Sequence, residues 1–214
     1  DELHIFCDRA DLDLYVITGK NPYDITKQFR KMIGRSYIAP KFAFGFGQSR
    51  WGYKTPEDFV TVAEKYRENH IPLDMVYMDI DYMDNYKDFT VNEEFRDFPQ
   101  YVENLKKDHI RLVPIIDAGV KIEEGYDVYE EGVEKNYFCK RQDGSDFVAA
   151  VWPGYTHFPD VLNPDARKWF GEKYKRLTDA GIEGFWNDMN EPAIFFTPEG
   201  VKDVKEAMKA FIDK

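Results

Sequence analysis

The chain has 214 residues, enough for one large domain, and its hydrophobic fraction of 43% provides for a buried core and argues against disorder. Its formal net charge is -11, from 29 basic and 40 acidic residues, and so acidic a surface repels phosphate backbones and anionic headgroups. We therefore expect neither nucleic acid nor a membrane as a partner, and a neutral substrate fits better.

The first forty residues look like a short piece that precedes the main domain. Residues 11–18 alternate polar and apolar side chains, as a half-buried strand does. Asn21 followed by Pro22 predicts a helix start, since Asn is a good N-cap and proline fits the first helical position. Residues 35–41 are then expected to connect to the main domain.

Strand-like and helix-like segments alternate along the rest of the chain. Short apolar runs predict strands at residues 42–46, 73–78, 111–116 and 182–186. Apolar residues at helical spacing, preceded by start signals, predict helices between and after these strands, beginning at Thr55, Pro99, Asn163 and about Val201. Strands that alternate with helices in this way build right-handed βαβ units and a parallel sheet.

Acidic residues stand where three of the predicted strands end. Asp79 and Asp81 follow the second strand, Asp117 follows the third, and Asp188 follows the fourth. A TIM barrel builds its active site from polar residues at the carboxyl ends of successive strands. A full barrel needs eight strands and about 250 residues. The predicted fold is therefore α/β, the N-terminal half of a (β/α)8 TIM barrel with about four βα units.

Residues 119–159, after the third strand, are too many for an ordinary βα loop. Asp143-Gly144 is a turn signal between two aromatic-containing runs, which indicates a hairpin. We expect a small β-rich insertion here. Because the loops at this face of a barrel carry specificity, the insertion should lie on the substrate side.

The strongest candidate for a catalytic segment is residues 184–192, Gly-Phe-Trp-Asn-Asp-Met-Asn-Glu-Pro. An apolar strand ends there in Asp188, and Glu191 follows at the same rim. Cleavage of a glycosidic bond with retention needs a carboxylate that attacks the anomeric carbon and stays ionised. A strand-terminal aspartate can instead cap the next helix, and the spacing alone leaves both interpretations open.

The stretch from Trp186 to Glu191 resembles the nucleophile motif of family 31 glycoside hydrolases, in the form typical of their α-glucosidases. Further matches to that family lie in the expected order, and the resemblance covers about residues 11–192. These matches are Arg50-Trp51-Gly52-Tyr53, Pro72-Leu73-Asp74, Met78-Asp79-Ile80-Asp81-Tyr82-Met83-Asp84, Phe95-Arg96-Asp97-Phe98-Pro99 and Val151-Trp152-Pro153-Gly154.

The resemblance implies a role for each matching residue. Asp188 would be the nucleophile that forms a covalent glycosyl-enzyme, and Glu191 would support the catalytic centre by orienting its neighbours. Asp79 would accept hydrogen bonds from the hydroxyls of the sugar at the cleavage point. Trp51 would lie near the pocket floor, although core packing explains it equally well. Further lining of the subsite would come from Asp117, Trp152, Trp186 and Met189.

The resemblance also implies that part of the enzyme is missing. The family's acid/base aspartate lies on a later strand, and a retaining pair needs carboxyl groups about 5–5.5 Å apart. No second carboxylate in this chain matches that role. Residues 1–40 would then be the end of an N-terminal β-sandwich with a linker helix, and residues 41–214 the first half of the catalytic barrel. The remainder of the same enzyme chain would be a partner.

The implied activity is that of a retaining α-glucosidase, which releases terminal glucose from maltose- or isomaltose-like oligosaccharides without a cofactor. The alternatives on the same scaffold are α-xylosidase, lyase and transglycosylase activity. An alternative from another class is a non-catalytic carbohydrate-binding half barrel.

A metal site is not expected. Asp79 and Asp81 could form a metal-binding pair, as in sugar-nucleotide transferases, but a hard cation takes more oxygen ligands and no phosphate-cradling glycine loop accompanies them. The two cysteines, Cys7 and Cys139, lie far apart and are expected to be free thiols. With no glycosylation acceptor and no signal-like start, the sequence favours a cytoplasmic location and leaves secretion open.

Overall fold

The computed structural model describes residues 4, 6 and 12–212, and the chain divides into two compact units, Asp1–Pro40 and Lys41–Lys214. In the first unit the predicted helix is present as α1 (Pro22–Ile33), where the Asn21 side chain accepts a hydrogen bond from the Asp24 N–H at 3.0 Å. The strand predicted at residues 11–18 is wrong for its described part, because residues 12–18 form no regular structure. A strand requires a partner to pair with, and the described part of this unit contains no other strand.

The second unit contains seven strands and six α-helices among its described residues. Its helices are α2 (Pro56–Glu68), α3 (Phe98–Lys107), α4 (Asp127–Glu134), α5 (Pro164–Lys173), α6 (Lys175–Thr178) and α7 (Pro198–Ile212). Its strands are β1 (Gly47–Gln48), β2 (Met75–Met78), β3 (Arg111–Asp117), β4 (Val120–Lys121), β5 (Ala149–Val151), β6 (Gly154–His157) and β7 (Trp186–Asp188).

The main sheet has the order β1-β2-β3-β7, and all of its strands are parallel. Helices connect consecutive strands, and their apolar faces pack on the sheet through buried residues such as Phe59 on α2, Val102 on α3 and Leu177 on α6. This arrangement is the N-terminal half of a (β/α)8 barrel, as the sequence predicted. Among the described residues, no helix combines the length and apolar character needed to span a membrane.

Two of the four barrel strands lie later in the chain than predicted. Residues 41–44 form a 3-10 helix, and pairing starts only at Gly47, opposite Met75. An added Cβ at Gly47 would lie 2.7 Å from the Tyr77 ring, so a larger residue would force that ring to move. In the fourth strand, Ile182 is buried in the core, but pairing begins at Trp186, opposite Ile115. An apolar run therefore indicates a buried segment, but it does not by itself show that the segment pairs as a strand.

The insertion after β3 is a three-stranded antiparallel sheet of order β4-β6-β5 with one helix, α4. The β5–β6 hairpin turns at Trp152-Pro153, and a second tight turn at Asp143-Gly144 brings Lys140 opposite Asp146. Helix α4 was not predicted, because Gly132 interrupts its helical pattern. The structure explains this glycine, since an added Cβ would lie 2.3 Å from the ring of Phe138.

Candidate active site

Three aspartates meet at the carboxyl ends of three neighbouring strands. Asp79 follows the last residue of β2, while Asp117 and Asp188 end β3 and β7 and lie opposite each other in the strand pairing. The charges of Asp188 and Asp79 both raise the pKa of Asp117, so all three carboxyl groups lie in one electrostatic environment. Sequence reasoning predicted this cluster, because the carboxyl ends of parallel strands share one edge.

Asp117 is the most enclosed of the three, with 3% of its surface exposed. Burial, followed by the charges of Asp188 and Asp79, raises its pKa to about 7. Its backbone N–H donates a hydrogen bond to Oδ1 of Asp88 at 3.1 Å, and its own Oδ1 is buried without a hydrogen-bond partner. Asp117 therefore presents a carboxyl group whose protonation state changes near neutral pH.

Asp79 begins the 3-10 helix Ile80–Tyr82. Its Oδ1 accepts a hydrogen bond from the Ile80 N–H at 2.8 Å, which fixes the side chain at the rim of the sheet. Burial raises the pKa of Asp79, this backbone hydrogen bond lowers it, and the charges of Asp81 and Asp188 raise it further. The net direction is upward, chiefly because the carboxyl group is partly buried.

Trp186 connects β7 to β2, the strand that ends next to Asp79. Its indole Nε1–H donates to the Met78 carbonyl at 3.1 Å, and its ring packs edge-on against Tyr77 with centroids 6.3 Å apart. Trp186 therefore reaches over β3 to β2, which places it on the barrel-facing side next to Asp79. Its role in lining the sugar subsite stays a prediction.

The loop after Asp188 runs from Met189 to Thr197, and α7 starts only at Pro198. Asp188 therefore does not cap a following helix, and that alternative from the sequence is wrong. The aspartate is half-buried. Met189 takes φ 56° and packs against the second apolar cluster, which contains Val151 and Phe158. Glu191 is exposed.

An aromatic row lies on the insertion side of the site. Trp152 packs at a tilt against Trp51 and edge-on against Phe195, with ring centroids 5.6 Å and 5.0 Å apart. Trp51 is 62% exposed and Trp152 is 41% exposed, so core packing is the wrong interpretation of Trp51. Trp152 also borders an open groove of about 590 Å³, whose other lining residues are Asp81, Asn85, Tyr86, Lys121, Pro153 and Gly154.

Sequence reasoning did not identify two features that shape the site. The first is Asp88, which contacts the backbone of Asp117. The second is a pair of hydrogen bonds between the loop after Asp188 and the insertion: Ala150 N–H donates to Phe196 O at 2.8 Å, and Phe195 N–H donates to Ala150 O at 2.9 Å. Neither carries a sequence signal, because both depend on segments far apart in the chain.

No group of three or more His, Cys, Asp or Glu side chains within the described residues has the geometry of a metal site. Cys139 forms no disulfide, and Cys7 lies outside the described residues.

Residues 36–211 match the family described as "Glycosyl hydrolases family 31 TIM-barrel domain". The chain is 43% identical over 196 residues to α-glucosidase 2 of Bacillus thermoamyloliquefaciens, which covers 91% of the chain and 25% of that protein. It is also 36% identical over 199 residues to α-xylosidase 1 of Arabidopsis thaliana, covering 88% of the chain and 21% of the relative.

Solved structures agree with the sequence comparison. The glucosidase II α subunit, in its DNJ-bound form, superposes with a TM-score of 0.77 at 35% identity over 85% of this chain and 20% of that subunit. The chain thus spans a quarter or less of the length of these relatives.

Proposed function

The chain belongs to glycosyl hydrolase family 31, and on that premise we propose that it carries the nucleophile side of a retaining α-glucosidase active site. The observation that carries the proposal is the position of Asp188. It ends β7 opposite Asp117, half-buried, in a stretch that resembles the family's nucleophile motif. Its substrate would be the terminal α-linked glucose of a maltose- or isomaltose-like oligosaccharide.

The chemistry proposed for Asp188 has two steps. In the first, a carboxylate oxygen of Asp188 attacks the anomeric carbon, and the bond from that carbon to the leaving oxygen breaks as an acid on the remainder of the enzyme chain protonates that oxygen. In the second, water attacks the glycosyl-enzyme, gives its proton to the same acid, now a base, and frees Asp188. Glucose leaves with its original anomeric configuration.

The other two aspartates have a physical role in this scheme. Positive charge develops on the sugar ring in an oxocarbenium-like transition state. Asp79 and Asp117 stand beside Asp188 and add negative potential there, while their oxygens can accept hydrogen bonds from sugar hydroxyls. The exposed rings of Trp51 and Trp152 offer apolar faces against which the next sugar can stack.

Trapping the covalent intermediate tests the proposal. Full-length enzyme should be incubated with an activated fluoroglucoside, digested, and analysed by peptide mass spectrometry. The expected result is one glycosyl group on the peptide that contains Asp188. A label on any other aspartate would overturn the assignment, and sugar binding without a label would favour the carbohydrate-binding alternative.

α-Xylosidase activity is the second candidate, because one relative of similar identity carries that name. Comparing kcat/KM for an aryl α-glucoside and the matching aryl α-xyloside separates the two. We expect the glucoside to be preferred, since the segment after Asp188 is of the α-glucosidase form. Preference for the xyloside would assign the enzyme to the other activity and leave Asp188 as the nucleophile.

A further inference from the structure

Asp88 is a buried carboxyl group that the scheme above does not use. It lies between the 3-10 helices Ile80–Tyr82 and Glu93–Phe95, and none of its surface is exposed. Its Oδ1 accepts the hydrogen bond from the Asp117 N–H at 3.1 Å, and its backbone carbonyl accepts one from the Tyr126 hydroxyl at 2.8 Å. Asp88 therefore contacts the end of β3 at the residue that enters the site.

Each of these two residues has one buried oxygen without a hydrogen-bond partner, namely Oδ2 of Asp88 and Oδ1 of Asp117. Buried polar atoms are nearly always paired, and an unpaired carboxylate oxygen is strongly destabilising. The charge of Asp117 also acts on Asp88, so two ionised carboxylates here would repel each other in a medium of low dielectric constant. One proton on Asp88 relieves both problems, because the protonated Oδ2 is a donor and Oδ1 of Asp117 is an acceptor.

We propose that Asp88 is a positioning residue that stays a neutral carboxylic acid at neutral pH and donates a hydrogen bond from Oδ2 to Oδ1 of Asp117. This bond would fix the Asp117 side chain and leave its second oxygen for a sugar hydroxyl. The inference rests on the sugar-binding role proposed for Asp117. Asp88 touches neither the substrate nor the reacting atoms.

The surroundings of Asp88 favour its neutral form. Burial, and then the charge of Asp117, raise the pKa of Asp88 well above its ordinary value. Besides Asp117 on β3, the titratable groups that face it are the phenols of Tyr82, Tyr126 and Tyr174. Lys87, its neighbour in sequence, directs its ammonium group to Asp84 and Glu123, at 2.8 Å from each.

The three phenols do not stabilise an ionised Asp88 side chain, because each donates elsewhere. The Tyr82 hydroxyl donates to the Ile115 carbonyl, and the Tyr174 hydroxyl donates to Oδ1 of Asn187, both at 2.8 Å. The Tyr126 hydroxyl donates to the backbone carbonyl of Asp88, as described above. The hydrogen bond from the backbone N–H of Asp117 is then the only one that the Asp88 carboxyl group accepts among the described residues.

Two substitutions in the full-length enzyme separate this role from simple packing. In Asp88→Asn, the amide oxygen can accept from the Asp117 N–H and the NH2 group can donate to Oδ1 of Asp117, which reproduces the neutral acid. In Asp88→Leu, the branching at Cγ is kept in a larger, apolar side chain, and both hydrogen bonds are lost. We expect Asn to keep kcat/KM within about threefold of wild type, and Leu to lose about 10- to 100-fold, as expected when a buried carboxylate oxygen loses its partner. Thermal unfolding of both variants should be recorded alongside.

Infrared spectroscopy tests the protonation state of Asp88 directly. At about pH 8.5, above the pKa of about 7 for Asp117, the wild-type enzyme should retain a carboxylic acid C=O absorption from Asp88. Asp88→Asn should lack this absorption. If the wild-type spectrum has no such band, or if Asn is as damaging as Leu, the inference is overturned. Because the spectrum does not depend on turnover, it decides the state of Asp88 even if the enzyme proves not to be a glucosidase.

Discussion

Asp117 and Asp188 occupy opposite positions in one strand pairing, but their surroundings differ. Asp117 is enclosed and has a pKa raised to about 7, whereas Asp188 is half-buried beside an open rim. A nucleophile must stay ionised and reach the anomeric carbon, so the more open position suits it. An enclosed carboxyl group with fixed geometry suits a residue that recognises hydroxyls.

The three aspartates of the site could be predicted because strand ends and acidic residues are both local features of the sequence. Trp51 could not be placed, because an isolated tryptophan gives no sign of whether its ring is covered. Asp88 had no signal, since its burial and its contact with Asp117, 29 residues away, exist only in the folded chain. The acidic residues of the site could therefore be predicted from the sequence, whereas the residues that orient them could not.

Replacing the proposed nucleophile is the first prediction. In the full-length enzyme, Asp188→Asn should leave folding intact, because Asn keeps the shape of the side chain at a half-buried position. It should remove nearly all turnover of an aryl α-glucoside, since an amide cannot act as the nucleophile. Steady-state kcat and circular dichroism of the purified variant check both parts. Retention of more than about a tenth of wild-type activity would contradict the assignment, because a lost nucleophile reduces the rate by orders of magnitude.

The raised pKa of Asp117 gives a prediction about stability and pH. A carboxyl group whose pKa is raised from 3.8 to about 7 on folding contributes stability that is present below pH 3.8 and lost as pH rises through 7. Asp117→Asn does not titrate, so its stability relative to wild type should increase between about pH 4.5 and pH 8.5, by at most a few kcal/mol. Thermal unfolding at the two pH values measures the change.

Asp58→Asn is the matched control for this pH experiment. Hydrogen bonds from the backbone of Thr55 and Lys54 lower the pKa of Asp58. Asp58 therefore contributes stability that is present above its unfolded pKa of 3.8 and is lost as pH falls below that value. Between pH 4.5 and pH 8.5 the stability of Asp58→Asn relative to wild type should therefore stay nearly constant, because the contribution of Asp58 is already fully present above pH 3.8. The same pH trend in both variants would show that the Asp117 effect does not come from its buried carboxyl group.

At the scale of elements, the insertion and the loop after Asp188 form one unit. The segment 195–196 pairs with Ala150 on the free edge of β5, and its two rings contact Trp152 and Tyr155 on the hairpin. An ion pair between Arg141 and Glu199, with nitrogen and oxygen 2.9 Å apart, joins the insertion to the first turn of α7. The insertion therefore holds the loop that starts at the proposed nucleophile.

Removing one hydrogen bond of this pairing is the third prediction. Ala150→Pro deletes the N–H that donates to Phe196 O, and the ring also crowds the edge of β5. Both polar groups of Ala150 point to the loop, so the β5–β6 ladder keeps its own bonds. We expect kcat/KM to fall by about tenfold as the nucleophile loses a fixed orientation. Ala150→Gly retains the N–H and should stay near wild type; an equal loss in both variants would assign the effect to packing.

Elements with strong local signals were predicted closely, and those that depend on partners were not. Helix α2 begins as expected, because the Thr55 hydroxyl and the Asp58 carboxylate form a reciprocal capping box. Gly181, with φ 100°, follows the end of α6 at Thr178 in a conformation that favours glycine. The strands at residues 42–46 and 182–186 were displaced, since the register of a parallel strand is set by its neighbour rather than by its own apolar run.

At the scale of the whole molecule, the described strands make a sheet whose two edges, β1 and β7, are unpaired within it. A closed barrel has no edges, and its inward side chains are covered from all sides. The family match, and the quarter of a relative's length that the chain spans, support the proposal that further strands close the barrel. We expect these strands to supply the acid that completes the site.

The last prediction concerns residues 1–214 expressed alone. The chain should associate with itself or be poorly soluble, because exposed sheet edges pair readily with other strands. Soluble material should not hydrolyse maltose, since no proton donor is in place for the leaving oxygen. An aryl α-glucoside, whose leaving group needs no protonation, could still give a slow burst of glycosylation on Asp188. Adding the complementary part of the barrel should restore maltose hydrolysis if the edges pair. Robust maltose hydrolysis by the 214-residue chain alone would place the acid within it, and Asp117, with its pKa raised to about 7 beside Asp188, would then be the first candidate.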